Sequence, residues 1–323
     1  MAQSWFADPE LLHTSLSVSY VCNNLSKAGD SLVYAHADDA VVVSLAQSPC
    51  VANKLPITEK SFVHQVRLCA LQDALVIVVA SGTGVQIFDA KGEQSLYELG
   101  LKDALDTPEE GTAVFCRGIA AINSRQPSLV VGTSVGKLLV IGKEKAAKAT
   151  AAPEFDLLET LREHTNAAIT GVEASPAGAL LATSDDSGLL LVRRPDDNFD
   201  VAHRVESDAG YPITAMRFVL DKWLVCGYLT GALRVYAADT LQLHAEVAAH
   251  SRAITALDAL EGYVASVGED TFLNIWELAG GHVRLASSHA VPNDLLAGVA
   301  FAAPRSVITA AYDTSHLKLW VPE

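Results

Sequence analysis

The stretch AHSRAITALDALEGYVASVGEDTFLNIW, residues 249–276, carries His250, Ser266 and Asp270 and closes on Trp276. A hydroxyl nucleophile, an imidazole base and a carboxylate that orients the base are the three groups that acyl transfer requires, and such sets are recognised by geometry rather than by order along the chain. Two further places offer paired carboxylates: Asp185 and Asp186 in SDDSG, and Asp38 and Asp39 in HADDA. Adjacent aspartates between two apolar runs are also ordinary turn residues, because the short carboxylate bonds to nearby backbone. The chain has no glycine-rich phosphate loop and no His-x-x-x-His pair. Its five cysteines, Cys22, Cys50, Cys69, Cys116 and Cys226, are scattered, with no Cys-x-x-Cys spacing. They read as buried thiols in a reducing compartment, with no disulfide, metal site or cofactor expected.

The elements that hold these groups repeat. ALVIVVASGTGVQIFDA (74–90), SLVVGTSVGKLLVIGK (128–143), ALLATSDDSGLLLVRR (179–194), WLVCGYLTGALRVYAA (223–238), YVASVGEDTFLNIWEL (263–278) and VITAAYDTSHLKLWVP (307–322) each place two apolar runs about a turn, and SLVYAHADDAVVVSLA (31–46) is a fainter seventh copy. The residue closing the second run is Phe88, Ile141, Arg193, Tyr236, Trp276 or Trp320; by subtraction the spacings are 53, 52, 43, 40 and 44. Most fall near the ~40–45 residue period of propeller blades. A third run precedes each pair, as in AITGVEA (168–174) and AITALDA (253–259), and a fourth follows, as in LQLHAEVAA (241–249). Runs of this length, rich in Val, Ile, Leu and Thr and punctuated by Gly, Asp and Ser, are strands.

The expected fold is all-β: a single seven-bladed β-propeller over 1–323, with blades near 14–62, 63–101, 113–162, 164–208, 211–248, 250–290 and 293–323. The last copy runs out before a fourth strand, so residues 4–13 are expected to supply it and close the last blade. His250, Ser266 and Asp270 then belong to one copy, and the same places recur as His164, Thr183 and Asp186 in another. A catalytic set would not be repeated from module to module.

With 50% hydrophobic and 19% charged residues the chain is globular rather than disordered. A net charge of -15 and the lack of any Lys/Arg-rich stripe argue against nucleic acid as a partner. MAQSWFADPELLHTS has no signal-peptide pattern, and ALVIVVA (74–80) is far short of a membrane span. The expectation is a soluble cytosolic protein, monomeric as a propeller, without membrane insertion.

The tract GEDTFLNIW with its upstream AH resembles the WD-repeat superfamily. Within it, CNNLS (22–26), RGIAA (117–121), VGTSVGKLLV (131–140), DDSGLL (185–190) and AHSRAITALDA (249–259) are similar to the family of WD repeat-containing protein 54. The resemblance implies that His250, Ser266, Asp270 and Trp276 form a hydrogen-bonded structural tetrad, and His164, Thr183 and Asp186 a second. Arg193 departs from it by standing where Trp is expected. It also implies a scaffold for protein complexes, without catalysis, and a ciliary or axonemal place as the alternative to the general cytoplasm.

The leading function is therefore a protein-interaction platform. Repeat position puts His64, Arg117, Tyr211, Tyr228, Arg252, Glu269 and Tyr312 on the candidate protein-binding face, and Tyr and Arg are common interface anchors. A ubiquitin-ligase substrate receptor is the first alternative, although none of the endings FDAKG, YAADT, WELAG and WVPE gives the Asp-x-Arg that often goes with it. A propeller enzyme with an acidic channel site is the second. Two insertions, LKDALDTPEEGT (101–112) and GKEKAAKATAAPEF (142–155), stretch the third unit; the second, rich in Ala and Lys and low in aromatics, reads as a solvated loop or as one that orders against a partner.

Overall fold

Branched and apolar residues in runs of six or seven form strands because their side chains pack on a pleated surface. The computed structural model describes residues 5–72, 74–105, 113–143, 155–162, 164, 167–206, 210–279 and 282–323. They form seven four-stranded antiparallel sheets, the blades of a seven-bladed β-propeller. Blade one runs from the strand Ser26–Ala28 to Val51–Lys54, two from Val63–Leu71 to Ser95–Gly100, three from Cys116–Ile122 to Phe155–Leu161, and four from Ile169–Ala174 to Asp200–Val205. Blade five runs from Ile213–Val219 to Leu243–Ala248, and six from Ile254–Leu260 to His282–Ala290.

Blade seven has Leu296–Ala303, Ser306–Ala311 and His316–Trp320, and its fourth strand comes from the other end of the sequence. Glu10–His13 lies antiparallel to His316–Trp320, with Glu10 opposite Leu319 and His13 opposite His316. Phe6 bridges to Pro322 and is buried between Trp320 and His289. Of the segment expected to do this, only Ser4 lies outside the described residues.

The middle strands are mostly buried, and Ser128–Thr133 is buried at every position, whereas the fourth strand Leu243–Ala248 alternates exposed and half-buried. That contrast follows from sheets covered on both faces, where a middle strand reads as a continuous apolar run and an outer one does not. The core is divided into layers between consecutive blades. One joins Val78 and Ile87 to Leu129 and Leu139, another joins Val225 and Val235 to Leu257 and Trp276. Each fully buried Val or Leu contributes roughly 1.5–3 kcal/mol.

By contacts the chain divides into two compact units, one of residues up to His36, Val41–Asn53 and Tyr211–Glu323, the other of Ala37–Ala40 and Lys54–Gly210. Within both, one device recurs. Pairing between the inner and second strands slips after its first pair: Val63 to Gln65, Cys116 to Ile119, Ile169 to Gly171, Ile213 to Ala215, Ile254 to Ala256 and Leu296 to Gly298. The residue pushed out by such a bulge is re-aimed. Thr214 Oγ1 donates to the Ile254 carbonyl (2.6 Å), Thr255 Oγ1 to that of Leu296 (2.7 Å), and Arg117 Nε to that of Ile169 (3.1 Å). Each acceptor is the first strand residue of the following blade, so the bulge stitches neighbours together.

In the first unit a short segment lies across three inner strands. Asn23 donates from N to Thr255 O (2.9 Å) and from Nδ2 to Thr214 O (3.0 Å), and Asn24 N donates to Ala297 O (2.9 Å). Asn24, only 2% exposed, also donates from Nδ2 to Ser19 O and Ala35 O and accepts from Ala35 N. CNNLS thus ties blade one to blades five, six and seven.

Leu101–Ala104 is a single helical turn. Residues 106–112 of the first expected insertion, and all of the second but 142, 143 and 155, lie outside the described residues. No helix among the described residues is long and apolar enough to cross a membrane.

Candidate functional site

His250 sits just before the inner strand of blade six, where its backbone N donates to Gly231 O (3.0 Å). Gly231 has φ +83, and a Cβ there would lie 2.2 Å from the His250 carbonyl, so only glycine admits the histidine's backbone. The imidazole is held at both nitrogens, Nδ1 at 2.8 Å from Asp270 Oδ1 and Nε2 at 2.8 Å from Ser266 Oγ. Trp276 Nε1 donates to the same Ser266 Oγ at 2.9 Å. Asp270 accepts in addition from Ser251 N (2.8 Å) and Phe272 N (3.3 Å).

Burial pushes His250 below the usual histidine range and outweighs the pull of Asp270, so the ring is neutral at pH 7. Burial works to raise the Asp270 carboxyl, but the bonds from His250 and the backbone N–H groups hold it below its ordinary value. One proton arrangement then satisfies every group: indole N–H to Ser266, Ser266 O–H to His250 Nε2, and His250 Nδ1–H to Asp270.

These are the distances of a catalytic set, and what removes the chemistry is access. Ser266 is 0% exposed and its oxygen is capped by the indole of Trp276, leaving no place for a carbonyl to approach.

Blade four repeats the network with a correction. His164 Nδ1 lies 2.7 Å from Asp185 Oδ2 and Nε2 lies 2.8 Å from Thr183 Oγ1; the acid is Asp185, not Asp186. The register gives the reason. Asp185 is paired across the strands with Ile169, as Gly268 is with Ile254, so its side chain points straight at the histidine. Asp186, one residue on, is exposed. Burial acts to raise Asp185, yet His164, Ser187 and the Leu189 N–H hold it below the normal carboxylate range. Arg193 takes the tryptophan's place, fully buried, with Nη1 donating to Phe199 O (3.1 Å).

The remaining closing residues confirm the repeat frame. Trp320 Nε1 donates to Thr309 Oγ1 (3.0 Å), and Phe88 and Ile141 are 0% exposed. Tyr236 OH lies 2.9 Å from Tyr228 OH, and Arg234 stacks over the Tyr228 ring at 4.8 Å. Tyr228 is therefore buried, at 4% exposure, and does not belong to the expected binding face.

The surface position is one residue later. In blades five, six and seven the first residue of the turn after the second strand donates to the backbone ahead of the inner strand: Leu229 N to Pro212 O, Glu269 N to Ala253 O, and Tyr312 N to Leu295 O. Leu229 and Tyr312 are 51% and 50% exposed. Tyr211 and Arg252, exposed, share a second position, each immediately before the residue whose carbonyl accepts that bond. In the other unit His64 and Arg117 are the bulge residues of blades two and three. Arg117 is a stitch, as described. His64 stacks on Phe115 (4.1 Å) and meets Phe62 edge-on (5.0 Å), and burial together with the charge of Arg117 pushes it down to about 4.

The paired carboxylates are not brought together as acids. Asp39 pairs with Lys54 at 2.7 Å and with Lys60, while Asp38 is exposed. No cluster of three or more His, Cys, Asp or Glu able to hold a metal occurs among the described residues. Cys69, Cys116 and Cys226 are buried, as expected; Cys22 is exposed and Cys50 half-buried, because both lie outside the strands. Two groups escaped the sequence reading. Asn23 and Asn24 were legible only as family tract, and Tyr20 lies in the same unrepeated segment, where no periodicity marks it. Tyr20 OH donates to Glu269, and its ring meets Tyr312 edge-on at 5.9 Å.

Comparison with known proteins agrees with this geometry. Residues 19–317 match the WDR54 family. The chain is 31% identical to human (Homo sapiens) WD repeat-containing protein 54, over 94% of this chain and 95% of that protein. It is 29% identical to rat (Rattus norvegicus) WD repeat domain 54, over 87% of each. Among solved structures, a chain in the crystal structure of the mitotic checkpoint complex superposes with a TM-score of 0.77 at 18% identity, over 99% of this chain and 93% of that one, a likeness of fold alone.

Proposed function

As the chain belongs to the WDR54 family of WD-repeat propellers, we propose that it is a non-catalytic platform for protein partners, working in the cytosol. One observation carries the reading: the chemistry-bearing groups of blades four and six are spent on each other in the interior, while the turn positions of blades five to seven present Leu229, Glu269 and Tyr312 outward from identical backbone bonds. Recognition residues on turns held by a rigid scaffold are a common arrangement. The five cysteines form no disulfide among the described residues and three of them are buried, which supports a reducing compartment.

The test is capture of partners by the full chain from cytosolic extract, followed by the double variant Leu229→Ala/Tyr312→Ala. The reading expects loss of the most abundant captured protein by about tenfold or more, with an unchanged Tm. Undiminished capture by the double variant would move the binding surface to the outer strands. A cullin-type ligase as the dominant captured protein would favour the substrate-receptor alternative.

A further inference from the structure

Glu269 and Tyr312 occupy equivalent turn positions on adjacent blades, and Tyr20 reaches the same spot from the segment ahead of blade one. The three are fixed by backbone. Val18 pairs with Tyr312 in a parallel bridge, Asp313 N donates to Val18 O (2.9 Å), and Ser19 N donates to Ala35 O (3.0 Å), which sets the direction in which Tyr20 projects. The rings of Tyr20 and Tyr312 lie 5.9 Å apart at 70°, with 42% and 50% of the residues exposed. Tyr20 OH occupies one oxygen of Glu269, and the carboxylate makes no ion pair among the described residues.

Two tyrosine faces at a steep angle beside an unneutralised carboxylate form a receptor for a cation, since ring faces attract positive charge and the carboxylate supplies a charge-assisted hydrogen bond. We propose that Tyr20, Tyr312 and Glu269 accept an arginine side chain of the partner protein. A guanidinium fits better than an ammonium because it is planar, stacks on aromatic rings and can bond a carboxylate through a fork of N–H groups. The chain's net charge of -15 draws such a partner in. Arg252, exposed and near enough for its charge to act on the Tyr20 phenol, is a competing cation at the edge of the site. This inference rests on the reading of these turns as an interaction surface.

The experiment uses the full chain with labelled tyrosine rings and three probes, acetyl-Ala-Arg-Ala-amide and its lysine and citrulline counterparts, followed by NMR. The arginine peptide is expected to shift the Tyr20 and Tyr312 rings saturably, the lysine peptide more weakly, and the neutral citrulline peptide not at all. Glu269→Gln should weaken the arginine peptide by about tenfold, the loss expected of one charge-assisted bond, and Arg252→Ala should tighten it. Equal shifts from citrulline, lysine binding as tight as arginine, unchanged affinity in Glu269→Gln, weaker binding in Arg252→Ala, or no saturable shift with any probe would each overturn the proposal. Leu229→Ala alone separates the two readings, because Leu229 lies outside this site and its effect on partner capture is measured with whole proteins.

Discussion

Asp185 and Gly268 occupy the same place in their blades, each paired with the first residue of the inner strand, Ile169 and Ile254. In blade four that place supplies the acid to the histidine; in blade six the acid comes from Asp270, two residues on, and the place must be vacant to admit it. A Cβ on Gly268 would lie 2.8 Å from Ala253 O, 2.9 Å from His250 Nδ1 and 3.1 Å from Asp270 Oδ1.

Gly268→Ala should accordingly destabilise the protein by about 2 kcal/mol through displacement of a buried hydrogen bond. A urea midpoint lowered at constant m-value is the expected result. An unshifted midpoint would show that the turn relaxes without cost.

Ser266→Ala leaves the Trp276 N–H and His250 Nε2 without their shared partner and should cost about 1–3 kcal/mol. Full activity loss with full stability would restore the catalytic alternative; the expectation is the reverse, lower stability and no hydrolysis of ester or amide substrates by the wild-type chain.

Stability should fall on acidification in two stages. Burial keeps His250 below its ordinary value of about 6.5, and His64 is held at about 4, so the unfolded chain binds protons that the folded one refuses. Their contribution is complete above about pH 6.5 and is lost as pH drops through the folded values. Asp185 and Asp270 are depressed as well, so their contribution is present above about pH 3.9 and is lost further down. His250→Gln should flatten the Tm profile between about pH 6.5 and 5. An unchanged slope in that variant would assign the first stage to other groups.

Phe6→Ala should cost about 3–5 kcal/mol, the usual range for a buried phenylalanine, and lower the Tm by about 6–20 °C. Its ring fills the gap between Trp320 and His289 at the closing blade. Asn24→Ala should be destabilising by a further mechanism, the loss of three bonds to a buried amide. Both are read by thermal melts; a variant that melts with the wild type would show that the segment before blade one is dispensable.

The blades were legible because each carries its own apolar punctuation, and the missing fourth strand of blade seven followed from where that punctuation stopped. The interior networks were legible to within one residue. Asp185 rather than Asp186, and Leu229 rather than Tyr228, hold the expected places, because alternation along a strand sends neighbours to opposite sides and turn composition does not say which of two adjacent residues faces inward. Asn23, Asn24 and Tyr20 were beyond reach. They act through carbonyls and rings contributed by blades five to seven, and nothing local in SYVCNNLS encodes that company.

The pairing of Glu10–His13 with His316–Trp320 also sets a timetable for synthesis. Glu10–His13 leaves the ribosome roughly 300 residues ahead of its partner, which at ~5–20 residues per second is a delay of about 15–60 s. Throughout it Leu11 and Leu12 offer an unpaired apolar edge to chaperones or to a second nascent chain. Translation speed across all the intervening blades decides how long that hazard lasts.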